Sequence, residues 1–308
     1  MTRSLPLGID VGSARTCVAL AELDAGGTPR LVAAASRTTG DDPSAAIAGA
    51  RTELSTRERR CVLALRAPDS HVREIALPPL RRRERERAAG FEAARFAPHA
   101  LHDGVLRFVP LTPGRTVVAV ARRSAVERAV EIARVAGLHA VAVDDGALAL
   151  LRAFAADAVV DVGLTACTVI VRGEALPLTR IVPLGGRALT DAIVAGLGVD
   201  ETTAELRKRG VGMAGAGESA RAALVEQIAS AFVELRAAAP REPAGAVLTG
   251  NGARLQGLAA ALERALGVPT RLGTFAPDAC VTLPADVVRV AAPDWGLAYG
   301  LALWEHAT

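Results

Sequence analysis

The sequence predicts an α/β protein of two lobes, each built on a similar β-sheet core. Residues 9–20 (IDVGSARTCVAL) and 160–171 (VDVGLTACTVIV) both read as an apolar strand ending in Asp, a glycine turn and a second apolar strand. The two aspartates, Asp10 and Asp161, lie 151 positions apart, which is close to half of the 308 residues. Each motif alone is typical of an ordinary turn, but the shared half-chain offset favours a duplicated architecture.

Short apolar strands and helical segments alternate between the two hairpins, in the order expected of α/β layers. Their β-β-α-β-β-α order predicts that residues 41–138 form a small α+β subdomain inserted in the first lobe. The remaining predicted units are the lobe I core at 1–40 and 139–158, lobe II at 159–289, and a C-terminal helix at 290–308 that returns to lobe I.

Composition excludes several classes of function. The chain has 36 Lys and Arg against 33 Asp and Glu, a balance that does not indicate a nucleic-acid partner. Aromatic residues make up 3% of the chain, too few for a surface that stacks on bases or sugars. Mean hydropathy is +0.29, yet no apolar run reaches the roughly 18 residues that a membrane-spanning helix needs. The four cysteines are scattered, so we expect no disulfide or cysteine–metal framework. Residues 1–6 have no apolar signal core, so we expect a cytoplasmic protein.

The hairpin turns carry the chemistry of anion binding. Successive backbone N–H groups in a glycine turn form a concavity that suits phosphate oxygens, and a neighbouring aspartate can hold Mg²⁺ through water. Two such turns facing each other would clamp one polyphosphate, with Asp10 and Asp161 holding the metal. A third glycine turn, at 248–253 (LTGNGA), follows an apolar strand and is suited to meet a nucleotide with bare backbone. The Walker A pattern does not occur in this sequence, and the glycines at 250–257 (GNGARLQG) do not have the spacing of the G-x-G-x-x-G fingerprint.

The order of these motifs resembles that of the actin-like ATPase superfamily, and most closely the PilM family of type IV pilus assembly proteins, which is related to the cell-division protein FtsA. The resemblance covers nearly the whole chain. It is carried by GIDVGS at 8–13, LPPL at 77–80, FEAARFAP at 91–98, AGLHAVAVD at 136–144, DVGLT at 161–165, PLGGRALT at 183–190 and LTGNGA at 248–253.

The resemblance implies an actin-like fold with an FtsA-like inserted subdomain, and ATP with Mg²⁺ between the lobes. It also implies a partner, the short cytoplasmic tail of a PilN-like bitopic membrane protein. This chain would then lie at the inner face of the cytoplasmic membrane, and it could form a homo-oligomer. The residues expected to contact the nucleotide are Asp10, Gly12, Ser13, Ala14, Arg15, Asp161, Gly163, Leu164, Thr165, Gly185, Gly186, Gly250, Asn251 and Gly252.

Three positions depart from the family pattern: Arg15 in the first turn, Leu164 in the second and Asn251 in the third. Arg15 would reach either a phosphate or solvent. Asp144 would either orient an attacking water, as a catalytic residue of at most a weak ATPase, or cap the helix that follows it.

Two other functions remain open from the sequence. One is a kinase of the same superfamily acting on a sugar or carboxylate, although residues 41–138 offer no evident acid or base for a substrate pocket. The other is a nucleotide-free structural relative, such as the cytoplasmic domain of the L-type component of type II secretion. That component continues into a membrane helix, so we do not expect this chain to fill that role.

Overall fold

The computed structural model describes residues 2–78, 80–97, 99–112, 114–213, 215–275 and 285–307. Its strands are β1 (Arg3–Ser4), β2 (Leu7–Val11), β3 (Arg15–Leu23), β4 (Pro29–Thr38), β5 (Arg60–Leu65), β6 (Ser70–Ala76), β7 (Gly104–Thr112), β8 (Arg115–Arg122), β9 (His139–Asp145), β10 (Ala158–Val162), β11 (Cys167–Val171), β12 (Leu178–Val182), β13 (Ala246–Thr249) and β14 (Thr270–Leu272). Its α-helices are α1 (Pro43–Glu53), α2 (Arg82–Phe96), α3 (Arg123–Val135), α4 (Gly146–Phe154), α5 (Gly186–Leu197), α6 (Glu201–Val211), α7 (Glu218–Ala238), α8 (Leu258–Leu266), α9 (Ala285–Ala302) and α10 (Trp304–Ala307).

Two sheets of matching topology form the lobes, which confirms the duplicated architecture. In the first sheet the strand order is β4-β3-β2-β5-β9, in which the first two pairs are antiparallel and the last two are parallel. In the second sheet the order β12-β11-β10-β13-β14 has the same sequence of pairings. Strands β2 and β10, which carry the two aspartates, are the third strand of their respective orders.

The inserted subdomain has its own antiparallel sheet, in the order β6-β8-β7, with α2 packed against β7 and β8. The predicted block at 41–138 is therefore divided in the structure. Strand β5 lies in the first sheet between β2 and β9, α1 packs on β3 and β4, and α3 packs on β5 and β9. The apolar run of β5 (RCVLAL) suits a strand covered on both faces, and such a run does not by itself reveal which sheet it joins.

Helices α4 and α9 cross between the two sheets and form the centre of the molecule. Their crossing requires bare backbone, because a Cβ added at Gly300 of α9 would lie 1.9 Å from the carbonyl oxygen of Ala149 in α4. Around them one apolar cluster draws on both lobes, including Leu5, Val159 and Tyr299, all of which are buried. In the described part of the chain, no helix combines the length and the apolar character required for a membrane span.

Three of the four cysteines, Cys17, Cys61 and Cys167, are buried and unpaired with one another. Burial raises the pKa of the Cys61 and Cys167 thiols to about 12, so both are small apolar groups at neutral pH. Cys280 lies outside the described residues.

Candidate functional site

The two hairpin turns are built in the same way. In the first, the Gly12 N–H donates to the Arg15 carbonyl at 3.0 Å, and in the second the Gly163 N–H donates to the Ala166 carbonyl at 3.0 Å. Each turn follows a strand that ends near its aspartate, Asp10 in β2 and Asp161 in β10. The half-chain repeat in the sequence is therefore a repeat of backbone geometry.

The tips of both turns present amides for which the described part of the chain supplies no hydrogen-bond acceptor. Among the described residues, the N–H groups of Ser13, Ala14, Leu164 and Thr165 donate no hydrogen bond to another residue. Exposed amides clustered in a turn attract anions, because each carries a partial positive charge that water alone otherwise satisfies. These amides are suited to phosphate oxygens.

The second turn rests on the first residues of α5. The Gly186 N–H donates to the Gly163 carbonyl at 2.9 Å, and the Arg187 N–H donates to the Leu164 carbonyl at 2.8 Å. A Cβ at Gly185 would lie 2.6 Å from the Leu164 carbonyl oxygen, so the contact needs glycine there. The predicted residues Gly185 and Gly186 thus hold the turn in place.

The two aspartates lie near each other across the lobes, with an arginine between them. An Nη of Arg66 lies 3.0 and 3.1 Å from the two carboxylate oxygens of Asp10, and 3.7 Å from an oxygen of Asp161. Burial raises the pKa of Asp10 above its ordinary value, the charge of Arg66 opposes that rise, and the charge of Asp161 adds to it. Arg66 was not among the site residues predicted from the sequence. It lies at the carboxyl end of β5, which is parallel to β2, and ligands of α/β proteins bind at the carboxyl ends of parallel strands.

The third glycine turn packs directly against Asp161. Gly250 has a φ of +84°, and a Cβ there would lie 2.5 Å from an Asp161 carboxylate oxygen. The Gly250 N–H and the Thr249 hydroxyl both donate to the Pro293 carbonyl, at 2.9 and 2.6 Å. This turn therefore joins the second sheet to α9 and brings Gly250, Asn251 and Gly252 to the same edge of the lobe.

Helix α6 adds a polar cluster that sequence reasoning did not find. The side chain of Lys208, the only lysine in the chain, is 6% exposed. It donates to the Thr190 hydroxyl at 2.7 Å, to the Gly186 carbonyl at 3.2 Å and to the Glu205 carboxylate. Burial alone would raise the pKa of Glu205, but the hydrogen bonds from Lys208 and Thr190 lower it overall.

This cluster lies beside the glycine turns. Lys208 Nζ would be 3.7 Å from a Cβ at Gly186, and Arg209 donates to the Asn251 side-chain oxygen at 3.2 Å. The Glu205 carboxylate and the Arg209 guanidinium at this edge can hydrogen-bond the hydroxyls of a sugar.

Arg15 takes neither of its two predicted positions. Its guanidinium donates to the Ser36 hydroxyl at 2.5 Å and to the Ser36 carbonyl at 3.2 Å, on the neighbouring strand β4. Arg15 thus anchors the base of the first turn to the sheet.

The structure also places Asp144 away from the aspartate pair. Asp144 forms an ion pair with Arg152 and lines a separate cavity beside Trp304. Asp145 instead lines a cavity of about 570 Å³ together with Arg66 and Asp161. The helix cap is Asp145 as well, accepting from the N–H groups of Ala147 and Leu148 at 3.0 and 3.3 Å. Side chains alternate between the faces of a strand, so an error of one residue changes the face.

An ion pair also links α9 to the second lobe. Arg254, in the 3₁₀ segment Asn251–Arg254, lies 2.7 Å from Asp294, whose side chain is 6% exposed. Burial raises the pKa of Asp294 against the opposing charges of Arg254 and Arg15. The pair therefore fixes the third turn relative to the crossing helices.

A sequence profile of the family described as type IV pilus assembly protein PilM matches residues 32–306. The chain belongs to the PilM family. Among solved structures, the PilM-PilN type IV pilus biogenesis complex is 28% identical, covers 97% of both chains and superposes with a TM-score of 0.82. No curated protein sequence matches this PilM-family chain closely enough for comparison.

Two more distant structures share the actin-like ATPase fold of this PilM-family member. The ethanolamine utilization protein EutJ from Carboxydothermus hydrogenoformans is 17% identical, with a TM-score of 0.58 over 98% of this chain and 90% of its own. Component A of the (R)-2-hydroxyglutaryl-CoA dehydratase from Acidaminococcus fermentans is 16% identical, with a TM-score of 0.53 over 99% of this chain and 100% of its own. At these identities the likeness concerns the fold.

Proposed function

We propose that this PilM-family chain is an ATP-binding scaffold of a type IV pilus assembly platform, and that it binds the cytoplasmic N-terminal tail of a PilN-like bitopic membrane protein. The observation that carries the proposal is the match to the PilM-PilN complex, which extends over 97% of both chains at a TM-score of 0.82. A match of this extent includes the inserted subdomain as well as both lobes. The partner's tail would hold the chain at the inner face of the membrane.

The residues present fit a nucleotide with a divalent cation. Four unpartnered turn amides suit phosphate oxygens, and the carboxylates of Asp10 and Asp161 suit Mg²⁺, which prefers oxygen ligands. In the described ranges no group of three or more His, Cys, Asp or Glu side chains gathers to hold a metal. The cation would therefore keep most of its water ligands, with Asp10 and Asp161 accepting hydrogen bonds from those waters.

The remaining site residues would bind and orient the nucleoside. Glu205 would accept hydrogen bonds from the ribose hydroxyls while the buried Lys208 holds its carboxylate in place, and Gly250, Asn251 and Gly252 would pass close to the base with little side-chain obstruction. When bound, Mg²⁺ would neutralise phosphate charge between the lobes.

We propose a conformational role for the nucleotide, with hydrolysis at most weak. The acid that faces the aspartate pair is Asp145, and its carboxylate is already engaged by Ser70 at 2.8 Å and by two helix amides. A carboxylate with these donors is poorly placed to take a proton from water. Nucleotide would instead favour one arrangement of the two lobes and shift the partner affinity accordingly.

The partner proposal is tested with a synthetic peptide of the cytoplasmic N-terminal tail of a PilN-like protein from the same organism. Isothermal titration into the full chain should give saturable binding with one site, whereas a scrambled peptide of equal composition should give none. Equal heats for the two peptides would contradict the proposal.

The nucleotide proposal is tested separately by titration with ATP·Mg²⁺. We expect Asp161→Asn to weaken binding about tenfold or more, since it removes a charged acceptor for metal-bound water. Asp157→Asn is the matched control, because Asp157 precedes the same strand and bonds the Ala244 N–H at 3.1 Å. Absence of ATP binding by the wild type, or equal effects of the two substitutions, would refute the assignment.

A further inference from the structure

Arg66 joins the two lobes through the aspartate pair. It follows β5 in the first sheet and contacts Asp10 of the same sheet through both carboxylate oxygens, at 3.0 and 3.1 Å. The same nitrogen lies 3.7 Å from Asp161 of the second sheet. One guanidinium thus serves two carboxylates that belong to the two halves of the repeat.

The environment of the two carboxylates favours a cation at this place. The side chains of Asp10 and Asp161 are 13% and 11% exposed, so solvent screens their mutual repulsion poorly. Arg66 is 39% exposed and reaches the pair from the cavity that Asp145 also lines. Two carboxylates this close in a largely desolvated site repel each other, and the positive charge of Arg66 offsets that repulsion.

We propose that Arg66 is a resident counter-cation that holds Asp10 and Asp161 together across the lobes, and that a divalent metal ion must displace it. The inference rests on the proposed function only for the source of the metal, which would arrive with nucleotide; the competition with Arg66 does not itself require nucleotide. A hydrated divalent ion carries its water ligands at about 2.0–2.1 Å and needs the space between the two carboxylates. The guanidinium nitrogen occupies that space, and its charge repels the metal. The two cations are therefore alternatives.

The displaced side chain has a place to go. The cavity of about 570 Å³ beside the pair is lined by Arg66 itself, by Ser70 and by the Asp145 carboxylate. A guanidinium leaving Asp10 can therefore find another carboxylate within the same cavity. Metal binding would exchange one Arg66 partner for another and release the direct tie between the sheets.

Metal titration of the full chain without nucleotide tests this inference. Mn²⁺ is the probe, because its free form is counted directly by electron paramagnetic resonance. We expect Arg66→Gln to bind Mn²⁺ about tenfold or more tightly than wild type, since the competing charge is gone. Arg66→Ala should show the same gain, and Arg66→Lys, which keeps the charge, should remain close to wild type.

Arg60→Gln is the matched control, because Arg60 lies at the other end of β5, is also 39% exposed and is also ion-paired. It should bind Mn²⁺ as wild type does. The double variant Arg66→Gln with Asp10→Asn should lose the gain, which places the metal at the pair.

An Mn²⁺ affinity of Arg66→Gln and Arg66→Ala within about twofold of wild type would overturn the inference, as would a gain that survives Asp10→Asn. The titration contains no nucleotide, so its failure leaves the ATP proposal intact. Conversely, a wild type that does not bind ATP leaves the metal result interpretable.

Discussion

The crossing of α4 and α9 sets the distance between the two lobes, and Gly300 is the residue that allows it. Gly300→Ala would place a methyl carbon 1.9 Å from the Ala149 carbonyl oxygen, whereas real Cβ contacts are essentially never shorter than 3.0 Å. The helices must therefore separate by at least the difference, 1.1 Å. Overpacking of this kind costs about 1–3 kcal/mol, and the better helix propensity of alanine returns up to about 1 kcal/mol. Because the clashing atom belongs to the backbone, we expect a cost near the upper end of that range and a net loss of about 2 kcal/mol in the free energy of unfolding.

Urea denaturation measures this loss, and Gly90→Ala supplies the control. Gly90 lies inside α2, and a Cβ there would meet nothing within 4 Å. Gly90→Ala should therefore gain about 0.5–1 kcal/mol from helix propensity alone. If Gly300→Ala is as stable as wild type while Gly90→Ala gains as expected, the close crossing of α4 and α9 is refuted.

Three further substitutions test the polar groups of the site. Lys208→Met should lower the free energy of unfolding by about 1–3 kcal/mol, because the Lys208 hydrogen bonds are lost. Arg207→Met, at an exposed position of the same helix, should change it little. Equal urea midpoints for the two variants would contradict the buried cluster. Burial raises the folded-state pKa of Asp145 above its ordinary 3.8. Ionising Asp145 in the folded protein therefore lowers the free energy of unfolding; this loss is absent below about pH 4 and grows as pH rises through the raised pKa. Asp145→Asn keeps the helix cap and should gain stability relative to wild type between pH 4 and pH 7.5, and a pH-independent difference would count against the burial of that charge. Arg15→Gln should leave the affinity for ATP·Mg²⁺ within about threefold of wild type, and a loss like that of Asp161→Asn would show that Arg15 leaves Ser36 for a phosphate.

The sequence predicted the parts of the fold that depend on local chemistry. Each hairpin needs only an apolar strand, a glycine turn and a second strand, and all three are visible in consecutive residues around Gly12 and Gly163. Strand β5 lies in the first sheet although the predicted inserted block at 41–138 included it, because an apolar run shows burial but not the strand that it pairs with.

The site residues that the sequence did not reveal are those whose partners are distant in the chain. Arg66 meets Asp161 and Lys208 meets Gly186 only after the sheets and helices have assembled. Arg66 follows β5 and Asp145 is the last residue of β9, both at the edge of the first sheet that carries Asp10, so strand order was required to place them. Asp144 and Asp145 are adjacent, and strand register alone decides which one faces the aspartate pair.

The scaffold proposal is tested most directly by the affinity of the PilN-like tail peptide for the full chain, measured with and without ATP·Mg²⁺. A nucleotide that closes the lobes must change the partner affinity by the same factor as the partner changes the nucleotide affinity. We expect saturable peptide binding whose dissociation constant changes at least about fivefold when ATP·Mg²⁺ is present. Failure of the peptide to bind in both conditions, or an identical affinity in both, would contradict it.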